Sequence, residues 1–161
     1  MKTTIVHTID PVFDANSRVL ILGTMPSPKS REAGFYYMHP QNRFWPALAG
    51  VFGEPVPMGR EERRAFALRH GIALWDVLQS CDIEGASDAS IANAVPNDIA
   101  GLLEKTHIAR VFTTGATAFK YYKKFAEPQT GVSAVPLPSP SAANARMRLD
   151  ALIAAYRAVA E

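Results

Sequence analysis

Four short apolar runs separated by stretches of helical pattern constrain this chain more than any other feature of its sequence. Arg18-Val19-Leu20-Ile21-Leu22-Gly23 reads as a strand ending at a glycine, and Ile72 to Val77, Val111 to Gly115 and Val132 to Leu137 read as three more. Runs this short and this apolar suit strands buried on both faces. Between them, Glu61 to His70 ends at Gly71 as a helix with a glycine C-cap does, and Asn97 stands where it would cap a helix burying Ile99, Leu102 and Leu103. Met147 to Val159 sets Leu149, Leu152, Ile153 and Tyr156 on one helical face. Strands alternating with helices predict an α/β fold, a three-layer α/β/α arrangement around a central, mainly parallel sheet of about four strands. In such sheets ligands bind outside the carboxyl ends of the strands.

With 161 residues, 48% of them hydrophobic and 20% charged, the chain is expected to form a single domain over residues 1–161. A formal net charge of +2 is compatible with nucleic acid without requiring it. The lone Cys81 excludes an intrachain disulfide and any multi-cysteine metal site, which makes a reducing cytoplasm the expected setting. The first residues lack the apolar run of a signal peptide, and no window approaches the length of a membrane span. No G-x-S-x-G elbow and no cluster of metal-ligating residues supports a small-molecule hydrolase, so neither metal nor cofactor is expected.

Three motifs follow predicted strand ends. Gly23-Thr24-Met25-Pro26-Ser27-Pro28 combines glycine and proline into a stiff loop that turns backbone N–H groups toward a ligand, or is a plain strand exit. Gly34 to Trp45, GFYYMHPQNRFW, is too polar in its middle for a core strand and too aromatic for a solvated loop. It suits a surface that stacks on something flat and hydrogen-bonds its edge. The plainer reading makes Asn42 a helix cap, with Phe44, Trp45 and Leu48 in the core. Pro46 would then fall where its missing N–H forfeits a regular helical bond, so the helix is expected to start later and to leave Asn42 facing a cleft. Leu137 to Ala145, LPSPSAANA, offers Ser139, Ser141 and a helix N-terminus as a phosphate cradle, or Ser141 is simply the N-cap of the last helix. Lys120, Lys123 and Lys124 read either as a phosphate-facing patch or as a solvated helix face.

Taken together, GTMPS, YYMHPQNRFW and LPSPSAANA resemble, in order and spacing, the uracil-DNA glycosylase superfamily. The HPQNRFW block is the specific part. It looks like the HPxNRFW segment of the mismatch-specific uracil-DNA glycosylases and of the related hypoxanthine-DNA (deoxyinosine) glycosylase branch. The resemblance implies a monomeric base-excision repair enzyme, without metal or cofactor, that hydrolyses the N-glycosidic bond of a deaminated base, hypoxanthine or uracil, flipped out of DNA. It implies Asn42 as the residue holding the attacking water. Gly23, Thr24, Met25, Pro26 and Thr114 would then face the base, Tyr37 would stack on it, and Tyr36 would be the second ring. Ser27, Ser139, Ser141, Asn144, Arg43 and Lys120 would contact DNA.

Two departures from the family pattern stand out. Met25 occupies the place where most branches carry Asp or Asn, and a thioether neither orients nor activates water. Thr113-Thr114-Gly115 stands where relatives often show Asn-Gly. A non-catalytic nucleic-acid binding module would use the same stacking and cradle, and Met25 keeps that alternative open. His7, His70 and His107 are scattered and read as surface or core residues, while His39 is expected to buttress its loop through a backbone hydrogen bond.

Overall fold

The computed structural model describes residues 2–85 and 87–161. Its seven strands are β1 (Thr3–Val6), β2 (Val19–Gly23), β3 (Ile72–Asp76), β4 (Leu78–Glu84), β5 (Ser87–Pro96), β6 (Arg110–Thr114) and β7 (Ala134–Leu137). The seven α-helices are α1 (Pro28–Ala33), α2 (Phe44–Phe52), α3 (Gly59–Arg69), α4 (Ile99–Glu104), α5 (Ala116–Tyr121), α6 (Glu127–Thr130) and α7 (Leu149–Tyr156). The four predicted strands form one sheet in the order β3-β2-β6-β7, with every neighbouring pair parallel.

Side chains leave this sheet alternately. Val19 and Ile21 point into a core shared with Phe44, Trp45, Leu48, Phe66 and Tyr156, from α2, α3 and α7. Leu20 and Leu22 point into a second core with Ile99, Leu102 and Tyr122. The two-residue period of a strand thus covers both faces, as continuous apolar runs require. Gly71, at φ +69°, supplies the left-handed turn that stops α3 and returns the chain into β3.

The sequence reading missed a second sheet, β1-β4-β5, antiparallel and built around the long β4–β5 hairpin. Three local expectations also change. Asp98, not Asn97, caps α4 by accepting from the Gly101 N–H, while the Asn97 amide donates to the carbonyls of Asp76 and Leu78. The last helix begins at Leu149, with Arg148 at its N-cap, so Ser141 caps nothing there and the proposed cradle has no helix terminus behind it. Leu149 itself is exposed, and the buried face of α7 is carried by Leu152 and Tyr156.

The helix after HPQN starts at Phe44 with Arg43 at the N-cap, which puts Pro46 at the third position. The N–H groups of those first positions have no partner inside a helix, so proline costs none there. Asn42 still helps the turn, because its Oδ1 accepts the Phe44 N–H at 2.9 Å.

Candidate active site

All four parallel strands point their carboxyl ends at one cavity of about 200 Å³. That is below the roughly 300–1,000 Å³ of a drug-sized pocket. β2 contributes Gly23, β3 Asp76, β6 Thr114, and the loop after β7 Ser139 and Ser141. The chain passes from β2 to β3 on one side and later enters β6 on the other, so the cavity lies at the point where strand order reverses.

The first motif forms one wall. Thr24, Met25, Pro26 and Ser27 all line the cavity, and Ser27 also caps α1 by accepting the Ser30 N–H. The carbonyls of Gly23 and Thr24 are occupied by the N–H groups of Val77 and Leu78. The N–H groups of Thr24 and Met25 have no hydrogen-bond partner among the described residues, which leaves them to whatever enters.

The second motif adds Tyr36, Tyr37 and Asn42 to the lining. Tyr37 is half-buried, with its ring on Phe44 at 3.7 Å between centroids and 12° between planes, and its hydroxyl 3.1 Å from Thr114 Oγ1. Its φ of +54° is one that a bulky residue adopts only under constraint, at a cost of about 1–3 kcal/mol. Burial and the nearby Asp76 carboxylate push the Tyr37 phenol well above its ordinary pKa, so it stays protonated. Asn42 also lines the cavity. One lone pair of Oδ1 holds the Phe44 N–H, the other remains, and Nδ2 has no partner among the described residues. His39 buttresses the loop as expected, its Nδ1 accepting the Gln41 N–H at 3.1 Å.

Two expected contacts are corrected here, those of Tyr36 and Arg43, while Asn144 and Lys120 stand outside the cavity. Tyr36 is 2% exposed and its hydroxyl binds the carbonyls of Ile9 and Asp10, so it packs as a core ring at the cavity floor rather than as a stacking plate. The Arg43 guanidinium is turned inward. It donates to the Met147 carbonyl and, at 2.9 Å each, to those of Ser141 and Asn144, while the Arg43 backbone N–H binds Pro140 O at 3.0 Å. Arg43 is thus the clamp that presses the Ser139–Ser141 loop onto the Asn42 turn. Asn144 is part of the same brace, its Nδ2 donating to Ser139 O at 3.0 Å, and it lies outside the cavity. Lys120 is exposed on α5, outside the cavity, with Nζ 5.6 Å from the Tyr121 ring.

The comparisons with known proteins agree with this arrangement. The family model of the uracil DNA glycosylase superfamily matches residues 11–160. The chain belongs to that superfamily. A hypoxanthine DNA glycosylase of Methanosarcina acetivorans is 33% identical over 136 residues, 84% of this chain and 85% of the relative. One of Methanosarcina barkeri is 40% identical over 82 residues, 50% of this chain and 52% of that protein. The solution NMR structure of a candidate uracil DNA glycosylase from Methanosarcina acetivorans superimposes with a TM-score of 0.81 at 29% identity, over 99% of this chain and all of the other.

For a uracil DNA glycosylase superfamily site, the cavity holds one group that sequence reasoning passed over. Asp76, 3% exposed, lines it and binds His7 Nε2 through Oδ2 at 2.8 Å. His7 had read as an ordinary surface or core histidine. The clue available was an acidic residue at the end of a predicted buried strand, where an apolar residue or a turn former is the norm. Gly23 makes room for the carboxylate, since a Cβ there would lie 2.5 Å from Asp76 Oδ1. Gly23→Ala is therefore expected to destabilise the protein by about 1–3 kcal/mol through overpacking, read as a lower midpoint in urea denaturation.

Proposed function

We propose that the protein is a monofunctional DNA glycosylase that removes a deaminated base, hypoxanthine or uracil, by hydrolysing its N-glycosidic bond. The observation that carries this reading is the convergence of all three motifs on one cavity at the strand-order reversal, with Asn42 in its wall. The superfamily membership and the two relatives named as hypoxanthine DNA glycosylases support the same reaction and substrate class.

A base inside duplex DNA is out of reach, so it is flipped into the cavity at a cost of a few kcal/mol, which stacking and edge hydrogen bonds offset. Tyr37 presents the aromatic wall, backed by Phe44. The C1′–N bond breaks with its electron pair going to the base, and the free N–H groups of Thr24 and Met25 stabilise the charge that gathers there. Asn42 holds the water whose oxygen forms the new bond to C1′, and the water's extra proton leaves to the departing base or to solvent. Asn42 Oδ1 accepts a hydrogen bond from that water through its second lone pair while the Phe44 N–H fixes the amide in place. An amide is no general base near neutral pH, so bond breaking runs well ahead of water attack.

The same reading takes residues 1–161 as one domain acting as a monomer in the cytoplasm, with Ser27, Ser139 and Ser141 as its contacts to DNA. No helix among the described residues is long and apolar enough to cross a membrane. No group of three His, Cys, Asp or Glu side chains able to share a metal ion occurs among the described residues. Full turnover is expected in EDTA, and loss of excision that a divalent ion restores would reject the metal-free reading.

The deciding experiment is single-turnover excision from oligonucleotides carrying hypoxanthine, uracil, xanthine or mismatched thymine. Release of hypoxanthine or uracil is expected. Tight binding to all four without release would instead make the protein a non-catalytic reader, the alternative that Met25 suggests.

A further inference from the structure

We infer that Lys120, Lys123 and Lys124, on the helix after β6, form a second DNA contact that grips the phosphate backbone of any duplex, damaged or intact, beside the cavity. The inference rests on the glycosylase reading above and names where the protein holds the DNA that it searches.

Lys120 lies near the end of α5, and Lys123 and Lys124 lie in the π-helical turn Tyr122–Ala126 that continues it. Spacings of three and four residues bring the three exposed side chains to one side of the helix. Each stands over a ring. Nζ of Lys120 is 5.6 Å from the centre of Tyr121, that of Lys123 5.7 Å from Phe119, and that of Lys124 5.1 Å from Phe125. The Tyr121 and Phe125 rings are 5.9 Å apart and 4° from parallel, and all three rings are half-buried against the second core. The lysine stems thus rest on fixed aromatic plates, which hold the charges at the surface with little freedom left to lose.

What these lysines lack is an anion. Elsewhere cationic side chains are matched within the fold: Lys29 pairs with Glu32, Arg69 with Glu54, and Arg110 with the carbonyls of Ala158 and Glu161. The acidic groups beside the lysine stretch, Asp88 and Glu127, pair with none of the three among the described residues. Unmatched cations one turn apart repel one another, and a line of phosphates relieves that repulsion. The helix also leads away from the cavity rim. It opens at Gly115, directly after Thr114 in the cavity lining, and a Cβ on Gly115 would stand 3.4 Å from that of Ser139. At about 1.5 Å of rise per residue, the lysines lie about 8–14 Å along the helix from there, a span of about two to four phosphates on one DNA strand. None of the three lines the cavity, so the contact is the same before and during bond breaking. It strengthens substrate and transition state equally, which aids capture at low DNA concentration and leaves the chemical step alone. Phosphates carry no record of damage, so intact duplex is held as well.

The test replaces all three lysines with glutamine, which removes the charge and keeps the rings covered. Binding is measured between about 50 and 200 mM salt to an intact duplex and to one whose hypoxanthine nucleotide has a 2′-fluorinated sugar and resists hydrolysis. Single-turnover excision is measured at saturating DNA. The slope of log affinity against log salt is expected to become shallower by about 2–3 for both duplexes, since each phosphate contact carries about 0.9. The saturating excision rate should stay within about twofold of wild type. Arginine in the three places should restore the slope. Arg18→Gln with Lys105→Gln, which removes charge before β2 and β6 at the far end of the sheet, should move it by less than about 0.5. Melting curves show that each variant is folded, and Lys124→Gln alone should lower the slope by about 1 if the triple variant melts early. An unchanged slope on the intact duplex overturns the inference and leaves the lysines as a solvated face or a dock for an acidic protein. A saturating excision rate that falls well below wild type in the folded triple variant also overturns it, because the contact would then act on the chemical step. The expected change of slope with no excision of any base by the wild type overturns the glycosylase reading and leaves the DNA grip standing.

Discussion

Asn42→Ala is expected to slow single-turnover base release by about 10²–10³-fold, the range seen when one preorganised polar group is removed from a reacting centre. Because Asn42 Oδ1 also holds the Phe44 N–H, the same change should destabilise the protein by about 1 kcal/mol. The two effects separate cleanly. A loss of 1 kcal/mol leaves nearly every molecule folded at 25 °C, so it cannot produce a rate loss of that size. Affinity for the damaged duplex should be nearly intact, since it rests on stacking and backbone contacts. Asn42→Asp sharpens the comparison: it keeps an oxygen for the Phe44 N–H and one for the water, so it should restore both stability and much of the rate. In the Asn42→Ala background, Met25→Asn puts an amide into the lining of the same cavity and should recover about tenfold, or 1.4 kcal/mol of barrier. An Asn42→Ala protein that excises at the wild-type rate would take the chemistry away from this residue.

The largest loss of stability is expected at Arg43. Its guanidinium satisfies the carbonyls of Met147, Ser141 and Asn144, which belong to a loop without regular structure of its own. Hydrogen bonds to a charged group are worth about 1.5–3 kcal/mol each, and three made by one side chain are not additive, so Arg43→Ala should cost about 3–5 kcal/mol. For a chain of this size that lowers Tm by on the order of 10 °C. Arg43→Lys should recover little, because a single ammonium cannot span three carbonyls in one plane. Both variants should also excise slowly well below their melting temperatures, since the loop carrying Ser139 and Ser141 is no longer pressed against the Asn42 turn. Had Arg43 been a phosphate contact, its loss would weaken DNA binding and flatten its salt dependence while leaving Tm unchanged.

The parallel sheet was legible because its strands are buried on both faces, which writes each as a nearly unbroken apolar run. The second sheet was not, for the opposite reason. β4 (LQSCDIE) alternates polar and apolar residues, and β5 (SDASIANAVP) is poor in the large β-branched and aromatic residues that mark a strand; hydrogen bonding to β4, not its side chains, makes β5 a strand. The start of the last helix was misplaced because Pro138-Ser139-Pro140-Ser141 carries the residues of an N-cap, yet those serines close turns within the loop, Ser139 Oγ accepting the Ser141 N–H and Ser141 Oγ the Ala143 N–H. Of the candidate site, the backbone loops and Asn42 were readable as short motifs. Arg43 was misread because sequence gives its charge but not its direction. Asp76 was unread because its meaning depends on His7, a residue 69 positions away in the chain.

Two stretches of one connection, from β2 to β3, bring Met25 and Asn42 to the cavity, while Asp76, Thr114 and Ser139 reach it from the ends of β3, β6 and β7. Under the proposed reading, methionine at the exit of β2 leaves the water to an amide in the turn before α2, and both residues stand outside the strand ladder. A lineage can in this way move a polar group from one turn of that connection to another, and change the residues at the ends of β3 and β6, as two separate events. Neither passes through an unfolded intermediate, because the apolar interior that holds the sheet together is untouched by either. In this architecture the heritable unit of chemistry is a single loop.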